Sequence, residues 1–454
     1  MGRQVLALLC GAGVLMGGVA MGAQKALGAR QLKATAGTPG QVRRLAAPAA
    51  MPPPRWARAL TGPSGDESAR LVSDRAGGFL AMVNYVRGVD VGTGPLEGSD
   101  DPTEWHTALV RYDPQGQAQV LKVFHSAFGL RHAVDVQRNI LLLVSAGGGV
   151  LDTGVHLAKL DASGKLLWLR PLPDGELWPQ ALTTDRAGNI GVGGYTVGAG
   201  DGQLAFVKYD AEGVRQWTYV DGETPRSEGR AVTVDGEGAF YVGGSAEGDG
   251  GAVEPYLVKL SPGGHAVWHR RLAGAVGVGH DVATHGNRVV LVGAYGGAFH
   301  FAGGAHVATD NLGTNQDAFV AAWTREGEER WAWNLGFDVG GVAMSEVDDS
   351  VVIAGGYQGG SADVGVLGAL AGNPTSAANV YVAKLDRVEG RLRWARGFVS
   401  GLDLGIPGVD EGSVAVTPEG RACVVGMFHD TLQVGSSKWT TSGRSDLFLF
   451  GFDP

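Results

Sequence analysis

The chain has 454 residues, 76 of them glycine, with 18% charged and 44% hydrophobic residues and a formal net charge of −9. So much glycine, with apolar runs of four to seven residues that stop at Gly, Asp, Asn or Pro, argues against long amphipathic helices and marks an all-β chain of many short strands. An acidic chain without a basic stripe lacks the clustered Lys and Arg that nucleic-acid binding requires, so no nucleic-acid partner is expected.

Residues 1–23 place Arg3 ahead of an apolar stretch from Val5 to Ala20 and end in small residues at Gly18, Ala20, Gly22 and Ala23. This is the pattern of a secretory signal peptide, cut between Ala20 and Ala29. The stretch is short for a bilayer and broken by glycines, so the mature protein is expected to have no transmembrane span and to be exported: secreted, periplasmic or at the cell surface. Cys10 falls within this segment, and Leu9 before it argues against lipid attachment. Residues 24–53, rich in Ala, Arg, Gly and Pro, cannot bury enough apolar surface to order themselves and read as a flexible tether.

From residue 54 to 454 the chain repeats. Gly164-Lys-Leu-Leu-Trp168, Gly213-Val-Arg-Gln-Trp217, Gly264-His-Ala-Val-Trp268, Gly327-Glu-Glu-Arg-Trp331 and Gly390-Arg-Leu-Arg-Trp394 all read Gly-x-x-x-Trp, and Gly116-Gln-Ala-Gln-Val120 replaces the Trp with Val. Successive copies of this tryptophan lie roughly 50 to 63 residues apart, room for four short strands and their turns. A strand of one type precedes each turn, as in Phe206-Val-Lys-Tyr-Asp210 and Leu257-Val-Lys-Leu-Ser261, and there are seven such strands. The rest of each unit is a hairpin, clearest from Ala231 to Gly244, with relatives at Leu71–Val83, Ala133–Val144, Leu182–Gly194, Val282–Gly293, Val342–Gly356 and Val414–Gly426. Each unit then runs as an inner strand a, a strand b ending in Gly-Gly, a strand c and an outer strand d opening with Trp. Cys423 sits in strand b of the last unit and reads as a small buried hydrophobe, and no disulfide framework supports the fold.

The last unit stops at Pro454 after strand c, while Trp56-Ala-Arg-Ala-Leu60 precedes the first hairpin and resembles Trp394-Ala-Arg-Gly-Phe398. One end supplies what the other lacks. The prediction is an all-β fold, a single seven-bladed β-propeller of four-stranded antiparallel blades over residues 54–454, closed by the N-terminal strand completing the last blade. Through Ala-Val-x-x-Asp-x-x-Gly, Gly-Gly and the Gly-x-x-x-Trp turn, the chain resembles the seven-bladed β-propeller repeat family of bacterial secreted and cell-surface proteins. That resemblance implies a surface or secreted scaffold and assigns no activity.

In such a ring the d-to-a and b-to-c connections emerge on one face. The b-to-c connections are long in the first (residues 87–104), fifth (296–316), sixth (359–378) and seventh (429–445) blades, which adjoin one another, and short in the second to fourth. A raised wall beside a lower half is expected, with a groove where function concentrates. Glu67, Arg131, His132, Trp178, Glu228, His280 and Glu411, placed at the starts of the inner strands, are expected to ring the channel mouth and bind a ligand. A polar, wet mouth without a ligand is the competing reading.

Six histidines from His265 to His306 scatter over different strands and turns, so no metal site is expected from them. Asp310-Asn311-x-Gly-x-Asn315-x-Asp317 spaces oxygen ligands as a calcium loop does but lacks the closing bidentate Glu, so turn capping competes with calcium there. No other cofactor and no catalytic motif is found. The expected function is non-enzymatic binding or scaffolding by a monomer, with a polysaccharide or an envelope or surface protein as partner. The alternative is an exported hydrolase or lyase with acid and base residues among Glu67, His132, Glu228 and His280.

Overall fold

The structure is a computed structural model that describes residues 53–63, 68–146, 154–173, 177–196, 202–308, 317–335, 338–357, 361–363, 369–371, 379–401 and 413–454. Residues 1–52, which include the signal and tether expectations, lie outside the described residues, as do Glu67, Glu411 and the calcium-like stretch up to 316. Every regular element among the described residues is a strand, and no helix there is long and apolar enough to cross a membrane.

Seven antiparallel sheets carry the repeat, each with an a-b-c-d order. The first comprises Ser68–Ser73, Phe79–Tyr85, His106–Tyr112 and Ala118–Phe124, and the second Ala127–Val134, Ile140–Ala146, Gly154–Leu160 and Leu166–Pro171. The third is built from Trp178–Thr184, Ile190–Tyr195, Leu204–Tyr209 and Arg215–Val220, and the fourth from Ser227–Val234, Phe240–Glu247, Val253–Leu260 and Ala266–Arg271. Ala275–His285, Arg288–Phe301, Asp317–Trp323 and Glu329–Asn334 make the fifth, and Gly341–Ser345, Ser350–Tyr357, Asn379–Asp386 and Leu392–Phe398 the sixth. The seventh has Val414–Val416, Ala422–Phe428, Asp446–Phe452 and, as its outer strand, Trp56–Leu60. Each inner strand packs against the next, and the seventh against the first, so the ring is closed.

The expected closure is present. Trp56 pairs with Gly451 and Leu60 with Leu447 in antiparallel register, the Arg55 amide donates to the Gly451 carbonyl, and the Arg55 guanidinium meets Asp453 at 2.7 Å.

The apolar cores lie between blades, as in other repeat folds whose units cannot bury a face alone. The Gly-x-x-x-Trp motif belongs to this interblade packing. Gly264, at φ +88°, turns from c to d where a left-handed backbone is needed, and a Cβ there would fall 2.7 Å from the Trp217 indole of the preceding blade. Trp217 Nε1 donates to the Pro262 carbonyl in that same turn at 3.1 Å, Trp268 Nε1 to Arg325 at 3.0 Å and Trp331 Nε1 to Arg387 at 3.3 Å. Where Val120 replaces the tryptophan, Gly164 of the next blade lies against Leu121 instead. Strand c adds a second clasp: Arg111, Lys159, Lys208 and Lys259 donate to carbonyls of the next c-to-d turn, at Ala162, Ala211, Pro262 and Arg325.

Inner strands two to five carry a β-bulge, at Leu130, Gln180, Arg230 and His280. In the fourth blade this presses the Glu228 carbonyl onto Gly244, where a side chain would overlap it, which explains the Gly-Gly ending of strand b. Cys423 is fully buried and burial raises its thiol well above the ordinary range.

The four long b-to-c connections each contain a two-stranded hairpin: Gly88–Asp90 with Pro95–Glu97, the end of Arg288–Phe301 with Gly304–Val307, Ser361–Asp363 with Ala369–Ala371, and Thr431–Val434 with Ser437–Thr440. Val89 and Val91 enter the core between blades seven and one, Phe299 and Phe301 that between four and five, Leu370 that between five and six, and Leu432 that between six and seven. The extra residues therefore staple each blade to its predecessor in addition to covering the face.

Candidate ligand-binding mouth

The described register defines the rim at the face of the d-to-a connections. Phe128, Trp178 and Glu228 open the inner strands of three consecutive blades at equivalent positions, paired with Ser145, Tyr195 and Ser245. All three are half-buried. Trp105, just ahead of strand c of the first blade, meets Phe128 edge to face at 5.1 Å and 85°. Trp178 and Tyr195 are cross-strand neighbours, and both are half-buried. Burial raises the Tyr195 phenol, the Glu228 carboxylate of the next blade raises it further and Arg230 opposes the rise, so this ring reaches the Glu228–Arg230 charges. Arg230 Nε donates to Glu228 Oε2 at 3.0 Å. The rim thus runs from two aromatic pairs into an ion pair.

The remaining predicted positions lie elsewhere. Arg131 sits two register steps inward of Phe128 and donates to the Leu130 carbonyl. His132 is 5% exposed and its Nε2 donates to the Leu80 carbonyl of the first blade at 3.0 Å. Its equivalents are Leu71, Leu182, Val232 and Val282, so the imidazole occupies an apolar layer. Burial, seconded by the charges of Arg70 and Arg131, lowers its pKa to about 4. His280 is the bulge residue of the fifth blade, and its Nδ1 donates to the Val339 carbonyl of the sixth at 3.0 Å. Beside it Asp281 accepts the amides of Val282 and Val342.

The sequence reading missed Trp105, Phe128, Tyr195 and Arg230. Phe128 had a signal: Phe128-Gly129, Glu228-Gly229 and Val278-Gly279 share the glycine that precedes each bulge. Trp105 and Tyr195 belong to the mouth only through tertiary placement.

A second polar cluster lies on the same face. Glu104 accepts the hydroxyls of Ser99 and Ser126, both at 2.6 Å, and His106 Nδ1 accepts the Ser126 amide at 3.3 Å. Those hydroxyls, Ser126 first, hold the Glu104 carboxyl below its ordinary range, which makes it a weak base. His106 shares its register position with Glu254, Asn379 and Asp446, which accept the amides of Gly274, Ser400 and Gly62. This position clasps the d-to-a connection, so the cluster is read as an anchor.

Among the described residues no three His, Cys, Asp or Glu converge as a metal site. His269 Nε2 meets the Tyr219 hydroxyl at 3.2 Å, His285 lies beside Glu346, and His306 stacks on Phe299. Asp317, the one described residue of the calcium-like stretch, accepts from Asn334 Nδ2 at 2.9 Å.

No family model matches the chain, and no curated protein matches it. Among solved structures it is similar to the WD40 domain of Pan2 from Neurospora crassa, with 10% identity and a TM-score of 0.45 over 87% of this chain and 95% of that one. It is also similar to the β-propeller domain of the Trilobed protease from Pyrococcus furiosus, with 10% identity and a TM-score of 0.43 over 84% and 95%. A protein of unknown function from Dyadobacter fermentans gives 10% identity and a TM-score of 0.39 over 87% and 99%.

Proposed function

We propose that this chain is an exported, non-enzymatic binding propeller that recognises a polysaccharide through the mouth on its d-to-a face. Export rests on the Arg3-led apolar segment of residues 1–23. The observation that carries the binding reading is the half-buried row of Trp105, Phe128, Trp178 and Tyr195 running into the Glu228–Arg230 pair. Half-buried aromatic rings suit the apolar faces of sugar rings, and a polar pair beside them suits hydroxyls. Binding is favoured over turnover because His132 and His280 already donate to backbone carbonyls and Glu228 already holds Arg230.

Isothermal titration of the purified protein against a panel of soluble polysaccharides tests this. At least one is expected to bind, and Trp178→Ala is expected to weaken it by about tenfold or more. A panel without a binder, or binding indifferent to Trp178→Ala, overturns the assignment.

A further inference from the structure

The inner strand of the first blade carries an arginine without a polar partner among the described residues. Arg70 pairs with Met82 and holds the register position that Arg131 holds in the adjoining second blade. Among the described residues its guanidinium makes no hydrogen bond and no ion pair, and its Nε is buried without an acceptor. Other arginines of the ring reach a carbonyl, Arg58, Arg75, Arg111, Arg270 and Arg387 among them, although the Nε of Arg111, like those of Arg138, Arg288, Arg325 and Arg421, is also buried without a hydrogen-bond partner. Arg70 is half-buried, and burying its Nε without an acceptor costs stability. Arg70 lies two register steps, about 7 Å, inward of the Phe128 level on the neighbouring inner strand. The charges of Arg70 and Arg131 both act on His132.

Building on the mouth reading, we infer that Arg70 is an anion-binding residue and that the polysaccharide is acidic, a uronate carboxylate seating on the Arg70 guanidinium while sugar rings lie on Phe128 and Trp105. A planar guanidinium accepts a carboxylate through two parallel hydrogen bonds, and an anion there supplies the acceptor that Nε lacks.

The test titrates wild type, Arg70→Gln and Arg70→Lys with three probes: an oligomer of galacturonic acid, its fully methyl-esterified and uncharged counterpart, and poly-glutamate. Wild type is expected to prefer the acid over the ester by about tenfold or more, Arg70→Gln to erase that preference while binding the ester normally, and Arg70→Lys to keep part of it. Arg70→Met is expected to leave the Tm unchanged or raise it, because it removes an unsatisfied buried group. Equal binding of acid and ester by wild type overturns the inference and leaves the mouth reading standing; failure of both sugars overturns the inference, while the mouth reading is decided by the wider polysaccharide panel. Arg70-dependent capture of poly-glutamate in place of the sugar acid replaces the glycan by an acidic peptide. A drop in Tm for Arg70→Met would give Arg70 a structural role and also overturn the inference.

Discussion

Trp217 lies across Gly264 of the following blade, with the indole 2.7 Å from where a Cβ on that glycine would stand. Trp56, Trp168, Trp217 and Trp331 each rest in this way on the turn glycine of the following blade, Gly116, Gly213, Gly264 and Gly390, whereas Gly327 lies against Arg270. Trp217→Ala is expected to cost about 3 kcal/mol, the low end for a large aromatic, since the ring is half-buried. Gly264→Ala is strained both by the clash and by its φ of +88°. With Trp217 already removed, the alanine at 264 should cost about 1 kcal/mol less, and urea denaturation of the double-mutant cycle measures that coupling. Additive costs would show that the two residues do not share a contact.

Lys159 meets Asp135 at 3.1 Å with side chains 9% and 0% exposed, and also donates to the Ala211 carbonyl of the next blade. Lys159→Met leaves a buried carboxylate without its cation and should destabilise by about 3 kcal/mol, whereas Lys159→Met with Asp135→Asn should recover much of it. Denaturation midpoints read both variants. If the double variant is no more stable than the single, the loss comes from the Ala211 clasp and not from the stranded charge.

The blade number, the strand order and the closure were legible because they are written in repeated turns and in the match between Trp56 and Trp394, which local chemistry imposes on every copy. The mouth was legible only in part. Counting from the hairpin motif assigned Arg131 and His132 to the start of strand a, but the strand begins at Ala127 and the bulge at Leu130 adds a residue, so Phe128 takes the rim. Likewise, connection length announced the four insertions but not that Val89, Phe299, Leu370 and Leu432 turn inward. Such facts depend on which blade stands next door, and spacing along the chain does not encode that neighbour.

His132 makes stability depend on pH. Burial lowers the folded-state pKa to about 4, against about 6.5 for an unfolded histidine, so the unfolded chain takes up the proton first. Its contribution is full above pH 6.5 and is lost as pH falls toward 4, by about 3 kcal/mol in all. His132→Leu, which copies Leu182 in the next blade, should flatten that part of the profile when urea midpoints are compared at pH 7, 5.5 and 4.5. Parallel profiles for the two proteins would mean that the imidazole is not held neutral.

The strand Trp56–Leu60 covers the edge of Asp446–Phe452, and Leu60 is fully buried in the core with Val89 and Leu449. Deleting residues 1–60 would bare an edge that reads Asp-Leu-Phe-Leu-Phe-Gly-Phe, with unpaired backbone groups along an apolar strand, the arrangement most prone to pairing between molecules. The truncated protein should elute as aggregate in size-exclusion chromatography, while a synthetic peptide of residues 53–63 added during refolding should restore a monomeric peak. Arg58→Ala in that peptide removes the bond to the Gly116 carbonyl of the first blade and should weaken the rescue without abolishing it, because the strand pairing remains. A truncated chain that stays monomeric with an unchanged Tm would show that the ring holds without its outer strand.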